Sequence, residues 1–362
     1  MQNVIAKRLR TARQAAGLTQ RQLSDRLGFK DRQTLASIES GARKLSADEL
    51  LLAMKVLGRD LEYFTDPFRL DGEGSFSWRT SAEKVDQLGD FESRAGRWLA
   101  LYRFLAPRDQ AWPSPLRISL TPKSFYEDAH RAAAWLVNEW KLGNVPADTL
   151  EKAVRERLGA LVLYVDAPEG ISGAAFKLPD LSAILINRNE PAGRRSYDLA
   201  HEVFHLLTWE TIPPAHSESE ELPESKTRRE QLANCFASAL LMPEPTLRAT
   251  WRTECVDDNR LASLLDEISR KFRVTVPALR WRLVQLELLQ KDMAVEPEAR
   301  RTMHETPENK PRRFSLDFAR TLHQGIQDGR ISVRRAASVL GLSIDDLADL
   351  FREYSIGVPF DL

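Results

Sequence analysis

His201, Glu202, Val203, Phe204 and His205 stand consecutively in the run SYDLAHEVFHLL. On a helix, the i,i+4 spacing of the two histidines puts both imidazoles one turn apart on a single face. There they can close on one Zn²⁺ at about 2.0–2.1 Å. Glu202, next to the first of them, can then take a proton from a water on the metal, whose pKa falls to about 7 when bound. That chemistry is hydrolysis.

A helix is what the run predicts. Leu199, Val203, Leu206 and Leu207 share one broad face, and Ser196 is suited to cap its start. A catalytic zinc needs a third protein ligand and one open position. A third histidine in the HExxHxxGxxH pattern is excluded, because positions 208 and 211 are both threonine. Glu230 is the first candidate, in RREQLANCFASALLMP, 25 residues beyond His205. Leu232, Phe236, Ala239 and Leu240 mark the core face of a helix there, and Glu230 and Asn234 share another face. The carboxylate could therefore bind the metal while the amide orients a histidine from behind. Read alone, Glu230 is equally a helix-start carboxylate favoured by the macrodipole. His216 is the rival ligand, ranked lower because its acidic loop, AHSESEELPES, holds a ligand less firmly than a packed helix does. Tyr197, one turn before His201, is a candidate to stabilise a transition state. Cys235 reads as a small buried apolar residue.

The elements around this motif divide the chain. Its 362 residues predict two or three domains, and 43% hydrophobic with 29% charged residues argues against wholesale disorder. No apolar run is long enough for a transmembrane helix, and the first residues lack the pattern of a signal peptide. Two cysteines cannot make a disulfide framework, which points to a reducing, cytoplasmic setting. The net charge is zero overall, but residues 1–45 carry ten Lys/Arg against three Asp/Glu. A basic module at the front of a neutral chain is a reason to test for nucleic acid.

Residues 4–65 predict five short helices. Thr19, Asp31 and Ser46 are suited to cap three of them, and Gly28 and Gly41 supply turns. Two short helices about a glycine turn form a helix-turn-helix, whose second helix offers its N-terminal side chains to base edges in the major groove. Those are Arg32, Gln33, Thr34 and Ser37, with Gln20 and Arg43 placed for phosphates. The run GLTQRQLSDRLG…TLASIESGARKLS resembles the Xre/Cro-repressor family over nearly all of residues 5–65, with a turn, GFKDRQT, one residue longer than usual. That resemblance implies a double-stranded DNA operator as partner.

Residues 66–117 predict a connector with one helix near 86–105. An α/β region at 118–290 follows, then a polar linker at 291–313 and a last helical module at 314–362. The runs ALVLYVD and ISGAAFKLPDLSAILIN predict three strands. Residues 183–187 are the candidate edge strand for an extended peptide, with an ordinary interior strand as the equally open alternative. The last module has two helices around Gly341, capped by Ser332 and Ser343. Ten Lys/Arg against nine Asp/Glu over 300–362 leave it without the charge of a DNA reader, which favours docking or regulation.

AHEVFHLL and EQLANCFASALLMP together resemble the ImmA/IrrE family of zinc metallopeptidases, a likeness running from about Phe125 to Leu289. It implies one Zn²⁺ per chain on His201, His205 and Glu230, with Glu202 as general base. Phe204 stands where many members have glycine. It implies a mainly α, multidomain chain with a zincin-like α+β core, in which a small sheet backs the HExxH helix. It further implies a bacterial cytoplasmic endopeptidase that cleaves a co-encoded helix-turn-helix repressor protein after a stress signal. The alternative is a transcriptional regulator whose zinc domain senses a ligand without cutting. Both readings leave room for an oligomer, and neither involves a membrane.

Overall fold

The computed structural model describes residues 2–70, 74–80, 87–107, 116–219, 227–251, 258–290 and 310–361. Cys255 and most of the expected linker at 291–313 lie outside the described residues.

Five helices open the chain: α1 (Gln2–Ala15), α2 (Gln20–Arg26), α3 (Arg32–Glu39), α4 (Ala47–Leu57) and α5 (Leu61–Thr65). Local chemistry sets their starts. Thr19 and Ser46 each close a capping box, and the Asp31 carboxylate accepts from the Thr34 backbone N–H. Gly28 (φ 70°) makes the left-handed turn between α2 and α3. Leu9, Leu23, Leu35, Ile38 and Phe64 give this unit a core of its own. Arg13 donates twice to Glu39, at 2.6 and 3.1 Å, and so ties α1 to α3 from inside.

The remaining elements are β1 (Ser75–Thr80), α6 (Leu88–Leu105), α7 (Tyr126–Glu139) and α8 (Leu150–Ala153), which a π turn over Val154–Leu158 extends. Then come β2 (Leu161–Val165), β3 (Ile171–Leu178), β4 (Leu181–Asn187), α9 (Ala192–Thr208), β5 (Ser217–Ser219), α10 (Arg228–Leu241) and α11 (Glu244–Thr250). The chain closes with α12 (Asp258–Phe272), α13 (Val276–Gln285), α14 (Leu316–Gln327), α15 (Val333–Leu340) and α16 (Ile344–Glu353). The architecture is mainly helical around one mixed sheet, ordered β2-β4-β3-β1-β5.

Both faces of this sheet are covered, which is why its strands read as nearly continuous apolar runs. Val162, Ala175, Ile184 and Ile186 point into a core shared with α7, α9, α10, α12 and α13. Leu163, Ala174, Phe176 and Leu185 point the other way, into a core completed by α6, α14, α15 and α16. The last helical segment is therefore docked on its own chain: Trp98 of α6 meets Phe314 edge-on and Tyr102 stacks on Phe318. Gly325 of α14 meets Leu105 so closely that a Cβ there would lie 2.6 Å from its side chain.

Two sequence expectations are corrected here. Residues 66–117 contribute more than a connector with one helix, because Phe76 and Trp78 of β1 join the second core and β1 pairs with β3. Residues 183–187 belong to no edge: β4 lies between β2 and β3, paired on both sides. Burial of both faces gave 183–187 its apolar character, and that character does not distinguish an edge from an interior strand. On α13, Trp281 is 41% exposed, while Leu279 and Leu283 on the opposite side are fully buried.

Candidate metal centre

Helix α9 starts four residues before the expected cap. Its first helical residue is Ala192, after Pro191, and Ser196 instead turns its hydroxyl back to the Ala192 carbonyl at 3.1 Å. Gly193 permits this start. A Cβ at that position would sit 2.6 Å from the Val274 carbonyl carbon, so the first turn of α9 lies directly on the backbone between α12 and α13. Thr227 caps α10, accepting from the Glu230 backbone N–H at 3.4 Å.

α9 and α10 pack together, and the pairing of His201 with Glu230 and Tyr197 with Asn234 shows that they run antiparallel. The expected ligands converge. His201 Nε2 and His205 Nε2 are 3.0 Å apart, and Glu230 places one oxygen 3.3 Å from the first and the other 3.6 Å from the second. All three residues are buried, and their ligand atoms lie within 4.8 Å of one another. An ion with four tetrahedral bonds of about 2.0–2.1 Å separates its ligand atoms by roughly 3.3 Å, which matches these spacings. Burial lowers both imidazole pKa values to about 4, with the Arg79 charge contributing, so both rings are neutral at pH 7 and offer lone pairs. Two neutral imidazoles and a carboxylate turned toward one point are a donor set that fits a divalent cation.

Glu202 is 1% exposed and lies on the sheet side of α9: a Cβ on Gly173 of β3 would stand 3.9 Å from its Cγ. Phe204 is buried in the core, its ring tilted against Phe236 at 5.6 Å and edge-on to the His205 ring at 5.6 Å. Its bulk alters packing rather than the ligand set.

Other expected residues fall elsewhere. Asn234 is placed against Tyr197, whose hydroxyl donates to its carbonyl at 3.1 Å and approaches its side-chain oxygen at 3.3 Å. His201 Nδ1 has no hydrogen-bond partner among the described residues, so Asn234 does not hold that ring. The Tyr197 hydroxyl is thus turned to α10, one turn from the ligands, and burial raises its pKa. His216 is distant in role: its Nε2 sits 2.6 Å from Glu92, with a side chain 62% exposed. Cys235 is buried as expected, and burial pushes its thiol up to about 11.

Two residues were missed. Asp198, fully buried on α9, takes Arg79 of β1 at 3.1 Å and Arg194 at 3.3 Å on the same oxygen. Breaking such a buried pair costs about 3–5 kcal/mol, so it fixes how α9 sits under β1. Asp198 could have been noticed as one turn before Glu202, with Arg194 one turn earlier. Arg79, 122 residues away in sequence from His201, carried no local signal. A cavity of about 450 Å³ opens beside these residues, lined by Arg79, Tyr126, Tyr197, Asn234 and Trp281 among others.

On the N-terminal unit, Arg32 and Gln33 are exposed on the first turn of α3, with Thr34 and Ser37 half-buried behind them. Gln20 bridges the two helices, donating to Glu39 at 2.9 Å and accepting from Arg32 at 3.1 Å. Arg43 is held by Glu49 at 2.7 Å.

No described helix is long and apolar enough to cross a membrane. No curated protein matches this chain. Residues 9–64 match the family model described as helix-turn-helix, and residues 155–284 match that of the IrrE N-terminal-like domain, peptidase M78. The chain therefore joins an Xre-type helix-turn-helix unit to an IrrE/ImmA-like domain in which His201, His205 and Glu230 form a cluster able to hold a metal ion.

Proposed function

We propose that this protein is a DNA-binding zinc metalloendopeptidase of the bacterial cytoplasm that cleaves a helix-turn-helix repressor protein when a stress signal arrives, releasing the repressed genes. The observation that carries the reading is the convergence of His201, His205 and Glu230 in the IrrE-like domain with Glu202 in the same turn. A sensor needs the ligands but has no chemical need for that glutamate.

Zinc bound there would supply a Lewis acid for the scissile carbonyl and an acidified water. Glu202 then takes a proton from water on one carboxylate oxygen and hands it to the leaving amine nitrogen. Its burial keeps bulk water from competing for that proton. Glu230 and the two neutral imidazoles hold their positions through α9 and α10, whose buried apolar residues pack in one core.

Dependence on a signal has support in the closure of the site. His201, Glu202 and His205 are each 1% exposed. β3 is the strand beside Glu202, and a strand edge holds an extended peptide by backbone hydrogen bonds. In this chain β1 occupies that flank, antiparallel to β3, with Arg79 opposite Gly173. A peptide that reaches Glu202 along β3 must first displace β1.

The test is cleavage of a purified repressor by the zinc-loaded full chain, with products identified by mass. Ser77→Pro, which removes a backbone donor from β1, is expected to raise the rate at least tenfold. A folded Ser77→Pro protein no faster than wild type would remove β1 as the block, and no cleavage by either would overturn the peptidase reading.

The helix-turn-helix unit would hold the enzyme beside a repressor bound nearby, raising the effective concentration of one for the other. Arg32 and Gln33 are the proposed base readers, with Thr34 and Ser37, while Gln20 and Arg43 meet phosphates. Arg32→Ala is expected to weaken operator binding by about 1–3 kcal/mol, and competitor DNA binding by less, in fluorescence anisotropy. Equal loss on both DNAs would make Arg32 a phosphate contact.

A further inference from the structure

Away from the metal cluster, a groove of about 860 Å³ runs between α7 and α11, and Arg282 of α13 forms part of its lining. Arg282 is 2% exposed, and among the described residues no carboxylate lies within ion-pair distance of it. Among the described residues its one hydrogen bond, from Nη1 to Gln285 Oε1, is long at 3.4 Å, and its Nε has no partner. His130, on α7 in the same groove, has a buried Nε2 that also lacks a partner among the described residues. Lys141 stands exposed at the rim. Glu244, on the same lining, holds Arg248 at 2.7 Å and acts on Arg282 and His130 only from beyond ion-pair distance, while Asp128 holds Arg131.

A buried guanidinium without a carboxylate is costly, and unpartnered buried donors are rare enough that each one calls for a cause. Burial lowers the Arg282 pKa to about 10, which still leaves it charged at pH 7. His130, lowered to about 4 mainly by burial, is neutral there, so it can offer an N–H. A cation from α13 and a neutral donor from α7, lining one groove, match an oxyanion, which accepts from both. The volume is that of a small-molecule site.

We propose that the α7/α11 groove binds a small organic anion, whose phosphate or carboxylate head group is held by Arg282 and His130. This inference does not rest on the metallopeptidase reading, and its test needs neither zinc nor a substrate.

Full-length protein is melted at constant ionic strength with graded inorganic phosphate or acetate against chloride. One of the two is expected to raise the midpoint saturably, by roughly 2–4 °C at saturation. The anion that does so identifies the head group. Arg282→Met is expected to abolish the rise and, without added anion, to melt no lower than wild type, because an uncompensated buried charge has been removed. A merely structural arginine would give a lower midpoint. His130→Phe keeps the ring and removes both nitrogens, so affinity should fall about tenfold. It also serves if Arg282→Met does not fold. No saturable rise with either anion, or the same rise in both variants, overturns the proposal.

Discussion

Replacement of Glu202 by glutamine is expected to leave zinc bound at one per chain and to lower repressor cleavage by about 10²–10⁴-fold, the usual weight of a general acid–base. The amide fills the space of the carboxylate next to Gly173, so the fold should hold. What it cannot do is take a proton from water. Glu202 is absent from the triangle of His201, His205 and Glu230, which is why metal content should not follow activity. Elemental analysis and a cleavage time course on the same preparation separate the two. If Glu202→Gln still regulates its genes in cells, the domain senses without cutting, and the alternative reading stands.

The second large effect is on the metal itself. Wild-type protein purified without added zinc should carry close to one ion per chain. His205→Ala and Glu230→Ala should each weaken binding by more than the roughly 10–100-fold that loss of an outer partner costs. His216→Ala should change nothing, because His216 is paired with Glu92 at 2.6 Å and takes no part in the cluster. Retention after Glu230→Ala would place the third ligand elsewhere. Zinc should also raise the melting midpoint of wild type and not of the two ligand variants, since an ion that binds only the folded state stabilises it by mass action.

Much of this site was legible because its parts are local. The i,i+4 spacing of His201 and His205 needs only a helix, and Leu199, Val203 and Leu206 announce one. Glu230 follows from a second amphipathic run, and only its choice over His216 required more than spacing. The helix-turn-helix unit is legible for the same reason. Thr19, Asp31 and Ser46 act on donors two or three residues away, and each caps as the sequence predicts.

The errors share a cause as well. Ser196 looks like a cap by type, yet close backbone contact at Gly193 lets α9 begin a turn earlier, and that contact comes from Val274. Asn234 has the spacing to orient a histidine, but Tyr197 across the helix pair takes its oxygen. The alternation of Phe76 and Trp78 with serines was a strand signal hidden in a stretch rich in glycine and aromatics. Nothing nearby said which strand it would join.

By itself, then, the sequence determined the chemistry on offer: two imidazoles, two carboxylates and their helices, with a basic helix-turn-helix in front. These depend on periods of 3.6 residues and on caps, which act within one or two turns. The tertiary structure decided what surrounds that chemistry. It brought Glu230, and not His216, to the two histidines, brought Arg79 onto Asp198 and laid β1 along β3 beside Glu202. It also docked α14 and α15 on α6, with α16 packed on both. Those outcomes depend on which buried faces meet across long stretches of chain, and no local periodicity encodes a partner.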